Sequence, residues 1–401
     1  MNTFLRKKPQ MTDSQQMFGT LIRAFVLYIP RATFGDVRRL VTLAWAVVGV
    51  TISKSANFNK WGASVISKAT IAASNQRRFQ RWLHNEYILP NTFYAPLLKA
   101  ALHEWDLAER LFVSLDTSVL PRGYVLIRAS LVYRGRAIPI AWKIIKHGSA
   151  SVSFDAYKSV LEQVIVTLPT NYPITWLADR GFLHSQFVKF IKQRSGDHYR
   201  IRAKANTRVR FTDRTVVNMA QLCPPEGHAH FYHDVKILDD GIGIVHVAMG
   251  DPADAEEPWS IISDEYTDLA TFDEYGLRFD IEENFLDDKS NGFDVESSRL
   301  DDAKALSRLF LVLAIATLYF TSVGTAVVKQ GKRRMIDTHW DRGMSYFKIG
   351  WEWVRQQSRK KWSLYPPFQL DSTPDPEPAI ASRRKAAEPK RKWTIAHFSL
   401  P

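Results

Sequence analysis

The stretch that decides the fold is LFVSLDTSVLPRGYVLIRASLVYRGRAIPIAWKII, residues 111–145. It contains three successive runs rich in β-branched and aromatic residues, a composition typical of strands. The pairs Arg122–Gly123 and Arg134–Gly135 separate the runs and supply turn residues. The stretch therefore predicts a meander of three antiparallel β-strands.

The section after this meander alternates between helices and strands. We expect an amphipathic helix at 153–168, a buried strand at 173–179, a second helix at 184–194 and a strand at 198–204. Three antiparallel strands followed by an alternating α/β section is the order of the ribonuclease H-like fold. The sequence thus predicts an α/β protein with a ribonuclease H-like core.

This order is interrupted at residues 205–265, which hold several short β-like runs joined by Gly, Pro and Asp. We interpret them as a small β insertion. The helical pattern resumes at Asp273 and continues into an apolar run that ends at residue 328. The predicted core therefore has two parts, 106–204 and 266–365, with the signature and C-terminal helices in the second.

The charge balance points to a polyanionic partner. Of 401 residues, 54 are basic and 41 acidic, which gives a net charge of +13. Such a basic chain typically faces nucleic acid or an anionic membrane surface. A single cysteine, Cys223, excludes an intrachain disulfide and fits a reducing cytoplasm. The basic start lacks a following apolar run, so we expect no signal peptide.

One segment is long and apolar enough to cross a bilayer. Residues 309–328 form a 20-residue span without a charge. The preceding residues continue the same helical pattern and carry charges at Asp301, Asp302, Lys304 and Arg308. A membrane span and a buried core helix are both open, and the soluble character of the surroundings favours the core helix.

The N-terminal region, residues 1–105, reads as helical and as a candidate DNA-binding region. Within it, residues 60–85 resemble a helix-turn-helix whose second helix opens at Ser74, a good N-cap residue. An amphipathic helix with a basic solvent face is the simpler alternative. In the DNA-binding interpretation, the side chains placed to meet bases and phosphates are Gln76, Arg77, Arg78 and Arg81.

The C-terminal tail, residues 366–401, mixes proline with many charges. Such a composition cannot build a core, so the tail is expected to be basic and disordered.

The segment YGLRFDIEENFLDDKS, residues 275–290, lines up four chemically distinct groups. Tyr275, Arg278, Glu282 and Lys289 follow one another at steps of three, four and seven residues. On an α-helix these steps return to one face. An ion-paired surface helix fits this pattern, and so does an acidic catalytic residue flanked by phosphate-binding groups.

Two aspartates follow apolar strand residues at points where their carboxylates would emerge from the sheet. We expect Asp116 to end the first strand run and Asp179 to end the fourth. Converging carboxylates suit hard cations such as Mg²⁺, and two such ions can promote phosphodiester cleavage. With Glu282 from the later helix, the candidate catalytic and metal-binding set is Asp116, Asp179 and Glu282.

These motifs together resemble the DDE-type transposases of bacterial insertion sequences, in the cut-and-paste branch marked by Tyr-x₂-Arg-x₃-Glu-x₆-Lys. The similarity covers about residues 60–355. It lies in LDTS at 115–118, GRAIPIAW at 135–142, ADRGF at 178–182 and EPWSIISD at 257–264. It continues in the signature and in KSNGFDVESSRL and SYFKIGW after it.

The resemblance implies specific roles for these residues. Asp116, Asp179 and Glu282 would bind two Mg²⁺ ions, which Mn²⁺ can replace, without a covalent enzyme–DNA intermediate. The phosphates of the transposon end would be held by Tyr275, Arg278 and Lys289. Trp259 matches a tryptophan that stacks on a flipped base in relatives, although core packing explains it equally well.

A possible zinc site is the pattern C-x₄-H-x-H-x₂-H, formed by Cys223, His228, His230 and His233. Histidines that alternate along a strand-like run are more simply a β surface, which is the interpretation we favour.

The resemblance implies a transposase that binds inverted-repeat DNA ends, cleaves them with Mg²⁺ and joins the 3′-OH ends to target DNA. It implies a homodimer in the synaptic complex, no membrane association and a cytoplasmic, nucleoid-associated location in a bacterium. One alternative is a domesticated relative that binds DNA without catalysis, although the complete acidic triad disfavours it. A second is a membrane-surface protein that uses the positive charge and the 309–328 run.

Overall fold

The computed structural model describes residues 12–66, 71–238, 241–250, 257–289, 292–362, 365–379 and 394–399. The chain divides into two compact units. The first combines Met1–Glu104 with Asp287–Asp371, and the second combines Trp105–Leu286 with Ser372–Pro401.

Eleven α-helices are described, and most of them lie in the first unit. They are α1 (Asp13–Tyr28), α2 (Arg31–Phe34), α3 (Val37–Ser53), α4 (Ala72–Leu83), α5 (Pro90–Ala101), α6 (Phe154–Thr167), α7 (Ser185–Lys192), α8 (Leu269–Gly276), α9 (Asp280–Asp288), α10 (Ala303–Lys329) and α11 (Tyr346–Lys360).

The described strands all belong to the second unit. They are β1 (Leu111–Leu120), β2 (Tyr124–Tyr133), β3 (Arg136–Lys146), β4 (Ile174–Ala178), β5 (His198–Arg202), β6 (Arg208–Arg210), β7 (Val216–Asn218), β8 (His228–Ile237), β9 (Gly243–Gly250), β10 (Trp259–Ser263) and β11 (Thr394–Ser399).

The core of the first unit is built around α10. Asp302 caps this helix by accepting a hydrogen bond from the backbone N–H of Ala305. The helix passes α11 closely enough that a Cβ on Gly324 would collide with the backbone carbonyl oxygen of Tyr346. Arg308 is buried but satisfied, because it donates to the carbonyl oxygens of Leu83 and Ile88.

By length and composition α10 qualifies as a membrane span, but 94% of its most apolar window is buried inside the structure. Burial of this kind is what the core-helix interpretation of residues 309–328 predicts. The bent pair of α3 and the 3₁₀ helix Phe58–Ser64 passes the same test only if the two helices are counted as one span.

The division into compact units follows other boundaries than the predicted domains, which stay a prediction. The N-terminal helices share a unit with α10 and α11. The predicted second part of the core, 266–365, is divided at Asp287. Helices that are distant in sequence pack in one unit because each must bury an apolar face against another helix. The local sequence does not show which helix that partner is.

The eleven described strands of the second unit form one mixed sheet, in which β2 is the middle strand of the predicted meander. The order along the sheet is β3-β2-β1-β4-β5-β10-β9-β8-β6-β7, and β11 pairs with β8. β1 and β2 are antiparallel, as are β2 and β3, so the predicted meander is present. β1, β4 and β5 are mutually parallel neighbours. Pro139 is accommodated because β3 lies at an edge of the sheet.

The segment predicted as a small β insertion forms strands that extend this same sheet. β10 pairs with β5 on one side and with β9 on the other. The run from β6 to β9 therefore continues the sheet instead of forming a separate layer. The short runs were recognisable in the sequence, but their pairing partners were not, because register depends on distant residues.

Part of the tail departs from the expected disorder. Thr394–Ser399 forms β11, which runs parallel to His228–His233 of β8. The segment TIAHFS satisfies its backbone by pairing with this strand edge, an option that tail composition does not reveal. Residues 380–393, also in the predicted tail, lie outside the described residues.

Candidate functional site

Asp116 lies in β1, among apolar residues that hold the strand in the sheet. Leu115 is fully buried, while the Asp116 side chain is 16% exposed. One carboxylate oxygen accepts a hydrogen bond from the backbone N–H of Thr117 at 2.7 Å. β1 continues to Leu120, so Asp116 lies within the strand and does not end it as predicted, and its carboxylate is not completely buried.

Asp179 directly follows β4 and caps a 3₁₀ turn, Arg180–Phe182, by accepting from the backbone N–H of Gly181. β1 and β4 are parallel, with Leu115 opposite Ala178. The residues that come next in the two strands are Asp116 and Asp179. The parallel pairing of β1 and β4 thus places the two predicted aspartates side by side where β4 ends.

Glu282 reaches this pair through Arg278. The guanidinium donates to Asp116 Oδ2 at 3.1 Å and to Glu282 Oε1 at 2.7 Å. The Arg278 side chain is 8% exposed, whereas that of Glu282 is 50% exposed. The buried Arg278 guanidinium thus joins two of the three predicted carboxylates. The sequence predicted that these carboxylates bind metal, and it did not predict their contact with Arg278.

The electrostatics of Asp116 are set mainly by its burial. The pKa of Asp116 is raised to about 6, chiefly by burial and to a smaller extent by the nearby carboxylates of Asp179 and Glu282. Arg278 and the Thr117 N–H oppose this rise. Burial lowers the pKa of Arg278, but Tyr275, Asp116 and Glu282 raise it more, so that its pKa lies above the usual range. The guanidinium therefore remains charged.

The signature segment is not one continuous helix. α8 ends at Gly276, a 3₁₀ turn covers Leu277–Phe279, and α9 begins at Asp280. The predicted steps of three and four residues still bring these side chains together, because the Arg278 guanidinium lies over the Tyr275 ring at 5.9 Å and pairs with Glu282 at 2.7 Å. Lys289 lies one residue beyond α9 and is partly exposed.

Tyr275 and Trp259 lie in the interior of the unit. Tyr275 is fully buried and contacts Trp259 edge to face at 5.2 Å between ring centroids. Trp259 is 8% exposed and stacks against Phe279 at 5.8 Å. Core packing, the alternative left open for Trp259, describes this arrangement. The proposed DNA contacts of both residues stay predictions, because neither ring faces solvent here.

The tyrosine hydroxyl nevertheless faces the charged site. Burial raises the pKa of Tyr275, and Asp179 raises it further, while Arg278 and Arg202 oppose the rise. The phenol is thus within electrostatic reach of Asp179 and Arg278. Its contribution in this arrangement is to fix the position of the Arg278 segment from inside the core.

Another carboxylate near the signature was missed from the sequence. Asp280 opens α9, and burial raises its pKa to about 7, with Arg136 opposing and Glu283 assisting the rise. Arg136 pairs with Glu283 at 3.3 Å. The position of Asp280 two residues before Glu282 was visible in the sequence, but its neighbour Arg136 on β3 was not.

The helix-turn-helix interpretation is altered in its details. The first helix is the 3₁₀ helix Phe58–Ser64, and residues 67–70 of the turn lie outside the described residues. The second helix, α4, begins at Ala72 after Ile71, so Ser74 lies inside the helix and is not its cap. An apolar residue thus occupies the cap position, which propensity did not predict.

The three arginines of α4 are not equivalent. Arg77 and Arg81 are exposed and remain available to a ligand. Arg78 is half-buried, donates from Nε to Thr42 Oγ1 at 3.1 Å, and has its pKa lowered by burial. In this arrangement Arg78 braces α4 against α3, and its predicted DNA contact is the least accessible of the three.

The donor chemistry of the acidic site fits a hard cation, because Asp116, Asp179 and Glu282 offer carboxylate oxygens only. Their arrangement is not yet that of a metal centre. Throughout the described part of the chain, no three His, Cys, Asp or Glu side chains are grouped closely enough to hold an ion. This includes His228, His230 and His233, which all lie in β8, where only the first two are two residues apart.

No family model and no curated protein matches this chain. Among solved structures, it is similar to the cryo-EM structure of the piggyBac transposase synaptic complex with hairpin DNA, with 8% sequence identity and a TM-score of 0.42 over 94% of this chain and 90% of that one. It is also similar to Marinitoga piezophila Argonaute in complex with 5′ OH guide RNA and target DNA. There the identity is 11% and the TM-score 0.22, over 58% of this chain and 34% of that one. Both scores are low, and the proposals below rest on the site itself.

Proposed function

We propose that this protein is a DNA transposase of the DDE type. It binds the inverted-repeat ends of an insertion sequence, cleaves them by Mg²⁺-dependent phosphodiester hydrolysis and joins the 3′-OH ends to target DNA. The observation that carries the proposal is the meeting of Asp116, within β1, and Asp179, directly after β4, on adjacent parallel strands, with Glu282 joined to Asp116 by Arg278.

The topology supports this assignment. The order β3-β2-β1-β4-β5, with β1, β4 and β5 parallel, is the arrangement we assign to a ribonuclease H-like core. In such open sheets, ligands are bound at the carboxyl ends of the parallel strands. Asp116 and Asp179 lie side by side where β4 ends. The net charge of +13 favours a polyanionic substrate.

In the proposed reaction, Asp116, Asp179 and Glu282 would hold two Mg²⁺ ions, which activate the nucleophile and stabilise the leaving oxygen. Arg278 would exchange its carboxylate partners for a DNA phosphate, for which a guanidinium is geometrically suited. Lys289, near the end of the signature, would bind the DNA backbone farther from the carboxylates. The protein would act in the bacterial cytoplasm as a homodimer that holds two DNA ends.

A single-turnover nicking assay with Mg²⁺ on a DNA end tests the proposal. Asp116→Ala, Asp179→Ala and Glu282→Ala should each abolish nicking and leave end binding nearly unchanged, because these carboxylates serve the ions and not the duplex. Asp273→Ala, which removes an exposed carboxylate from α8, is the matched control. Normal nicking by any of the three variants removes that residue from the site.

The Arg278 bridge favours one second candidate, a DNA-binding relative that has lost catalysis. Here the guanidinium would permanently neutralise Asp116 and Glu282. Specific end binding by the parent protein without nicking at any Mg²⁺ or Mn²⁺ concentration would select this candidate over the transposase.

A further inference from the structure

The connection between α10 and α11 is long. α10 ends at Lys329 and α11 begins at Tyr346, so residues 330–345 form this connection, the α10–α11 loop. The loop lies entirely in the first unit. Connections between packed helices commonly have about 2–8 residues, and much longer ones often carry a function. The length of the loop therefore suggests a role beyond joining two helices.

A buried aspartate organises the loop. Asp337 is fully buried and accepts a hydrogen bond from the backbone N–H of His339 at 3.1 Å. It also accepts from the N–H groups of Gly343 at 2.8 Å and Met344 at 3.1 Å. Burial raises the pKa of Asp337, but the His339 side chain and these N–H groups lower it more, so the pKa lies below its usual range. One ionised carboxylate thus anchors both ends of the segment 339–344.

The backbone at Trp340 is held by a second buried group. Arg333 is 5% exposed and donates to the carbonyl oxygens of His339 and Trp340, both at 2.9 Å. The His339 ring packs so closely on Gly343 that a Cβ there would lie 2.6 Å from the ring Nδ1. These contacts fix the tip of the loop in advance, which lowers the conformational cost of binding a ligand.

The loop presents a tryptophan to solvent. The Trp340 side chain is 80% exposed, more than any other large hydrophobic side chain that the structure describes. Tryptophan is usually well buried in folded proteins, because exposing its ring to water is unfavourable. A ligand that covers the ring would remove this cost. The fixed backbone and the exposed ring together describe a binding surface.

The groups around the ring indicate the kind of ligand. The guanidinium of Arg334, an exposed residue, lies over the Trp340 ring at 4.7 Å from its centroid. The residues on either side of the tryptophan, His339 and Asp341, are polar, whereas insertion into a membrane needs an apolar flank. A nucleotide matches an aromatic ring beside a cation, because its base stacks on the ring and its phosphate pairs with the guanidinium.

We propose that Trp340 stacks on an unpaired base of a DNA strand and that Arg334 binds a phosphate of the same strand. The base must be unpaired, because neighbouring bases cover both of its faces in a duplex. The choice of DNA as the nucleic acid rests on the proposed function. The stacking site itself rests on the fixed loop, the exposed ring and the guanidinium beside it.

The test is the affinity of the metal-free protein for a short fluorescent oligothymidylate, measured by anisotropy across a salt series. Trp340→Ala should bind about tenfold more weakly, because one base loses its stacking partner. Its slope of log Kd against log salt should not change, since the ring carries no charge. Trp340→Phe keeps an aromatic face and should stay within about threefold of the parent. Arg334→Ala should lower the slope by about 0.7 for the phosphate that it no longer neutralises.

Tyr266→Ala is the matched control, because Tyr266 is a 69% exposed aromatic residue of the second unit. It should change the affinity by less than about twofold, as expected for an exposed ring outside the site. A strand of the same length with abasic sugars should bind the parent and Trp340→Ala equally, since no base remains to stack.

Three results would overturn the stacking site. The first is binding of oligothymidylate by Trp340→Ala that matches Tyr266→Ala. The second is a loss in Trp340→Phe as large as that in Trp340→Ala, since an aromatic face would then not matter. The third is binding to phosphatidylserine vesicles that depends on Trp340 when binding to oligothymidylate does not, which would identify a membrane contact.

The two proposals can fail separately. Nicking that depends on Asp116, combined with normal oligothymidylate binding by Trp340→Ala, contradicts the stacking site alone. Oligothymidylate binding that depends on Trp340, without any nicking by the parent, contradicts the catalytic proposal and leaves Trp340 as a base-stacking residue.

Discussion

Replacing Asp116 by Asn should stabilise the protein at neutral pH, although it removes a partner of Arg278. Burial and the neighbouring carboxylates raise the pKa of Asp116 from 3.8 to about 6. This rise already includes the attraction of Arg278, so ionisation of Asp116 is net unfavourable to the folded state. At about 1.4 kcal/mol for each pH unit between the two pKa values, the penalty is about 3 kcal/mol.

The sign of the effect sets its pH window. Below about pH 4 the carboxyl is protonated in both the folded and the unfolded protein, so Asp116→Asn should have little effect. Between about pH 4 and 6 only the unfolded chain ionises, and the parent loses stability relative to the variant as pH rises. Above about pH 6 the advantage of the variant should stay constant near its maximum.

Urea unfolding of parent and Asp116→Asn between pH 4 and 8, in the presence of a chelator, measures this difference. Asp273→Asn, at an exposed position of α8, is the control for loss of one carboxylate. A parent that is as stable as the Asp116→Asn variant at pH 7.5, or more stable, would refute the reasoning. It would mean that the Arg278 ion pair outweighs burial and like-charge repulsion.

Three further outcomes are expected. Arg278→Gln should raise the Mn²⁺ affinity of the DNA-free protein by about tenfold or more in calorimetry, since a unit charge about 4 Å away contributes a few kcal/mol; unchanged or weaker affinity would contradict this. Lys289→Ala should weaken end binding most at low salt and should lower the slope of log Kd against log salt by about 0.9, and Arg278→Lys should impair cleavage despite its retained charge; effects within about twofold would remove the phosphate-binding role. Gly324→Ala should destabilise the protein by about 1–3 kcal/mol in urea unfolding, because its Cβ meets the Tyr346 carbonyl, whereas Gly62→Ala, which meets no close atom, should not.

The sequence predicted best what depends on strand order. Runs of strand-forming residues located β1 to β5, and parallel strand ends are expected to meet at one edge. That reasoning brings Asp116 and Asp179 together, as the structure does. Their metal-binding role stays a prediction. Strand topology predicts that the two carboxylates lie close together, but it does not predict whether Arg278 or a metal ion balances their negative charge.

Side-chain direction around the signature was beyond sequence reasoning. Helical spacing placed Tyr275 and Arg278 on one face, and the Arg278 guanidinium does lie over the Tyr275 ring, but the spacing did not show that both side chains are buried. Tyr275 is then held inside by Trp259, a contact across 16 residues of sequence. Burial of this kind depends on packing partners that local spacing does not specify.

The strand β11 has a consequence for handling the protein. One side of β8 pairs with β9. On the other side, β11 pairs with His228–His233, and β6 pairs only farther along, at Lys236 and Ile237. A chain shortened before Thr394 would leave those backbone groups open, and open strand edges recruit other chains into intermolecular sheets. β11 therefore covers a strand edge that would otherwise favour intermolecular pairing, so its removal should promote aggregation.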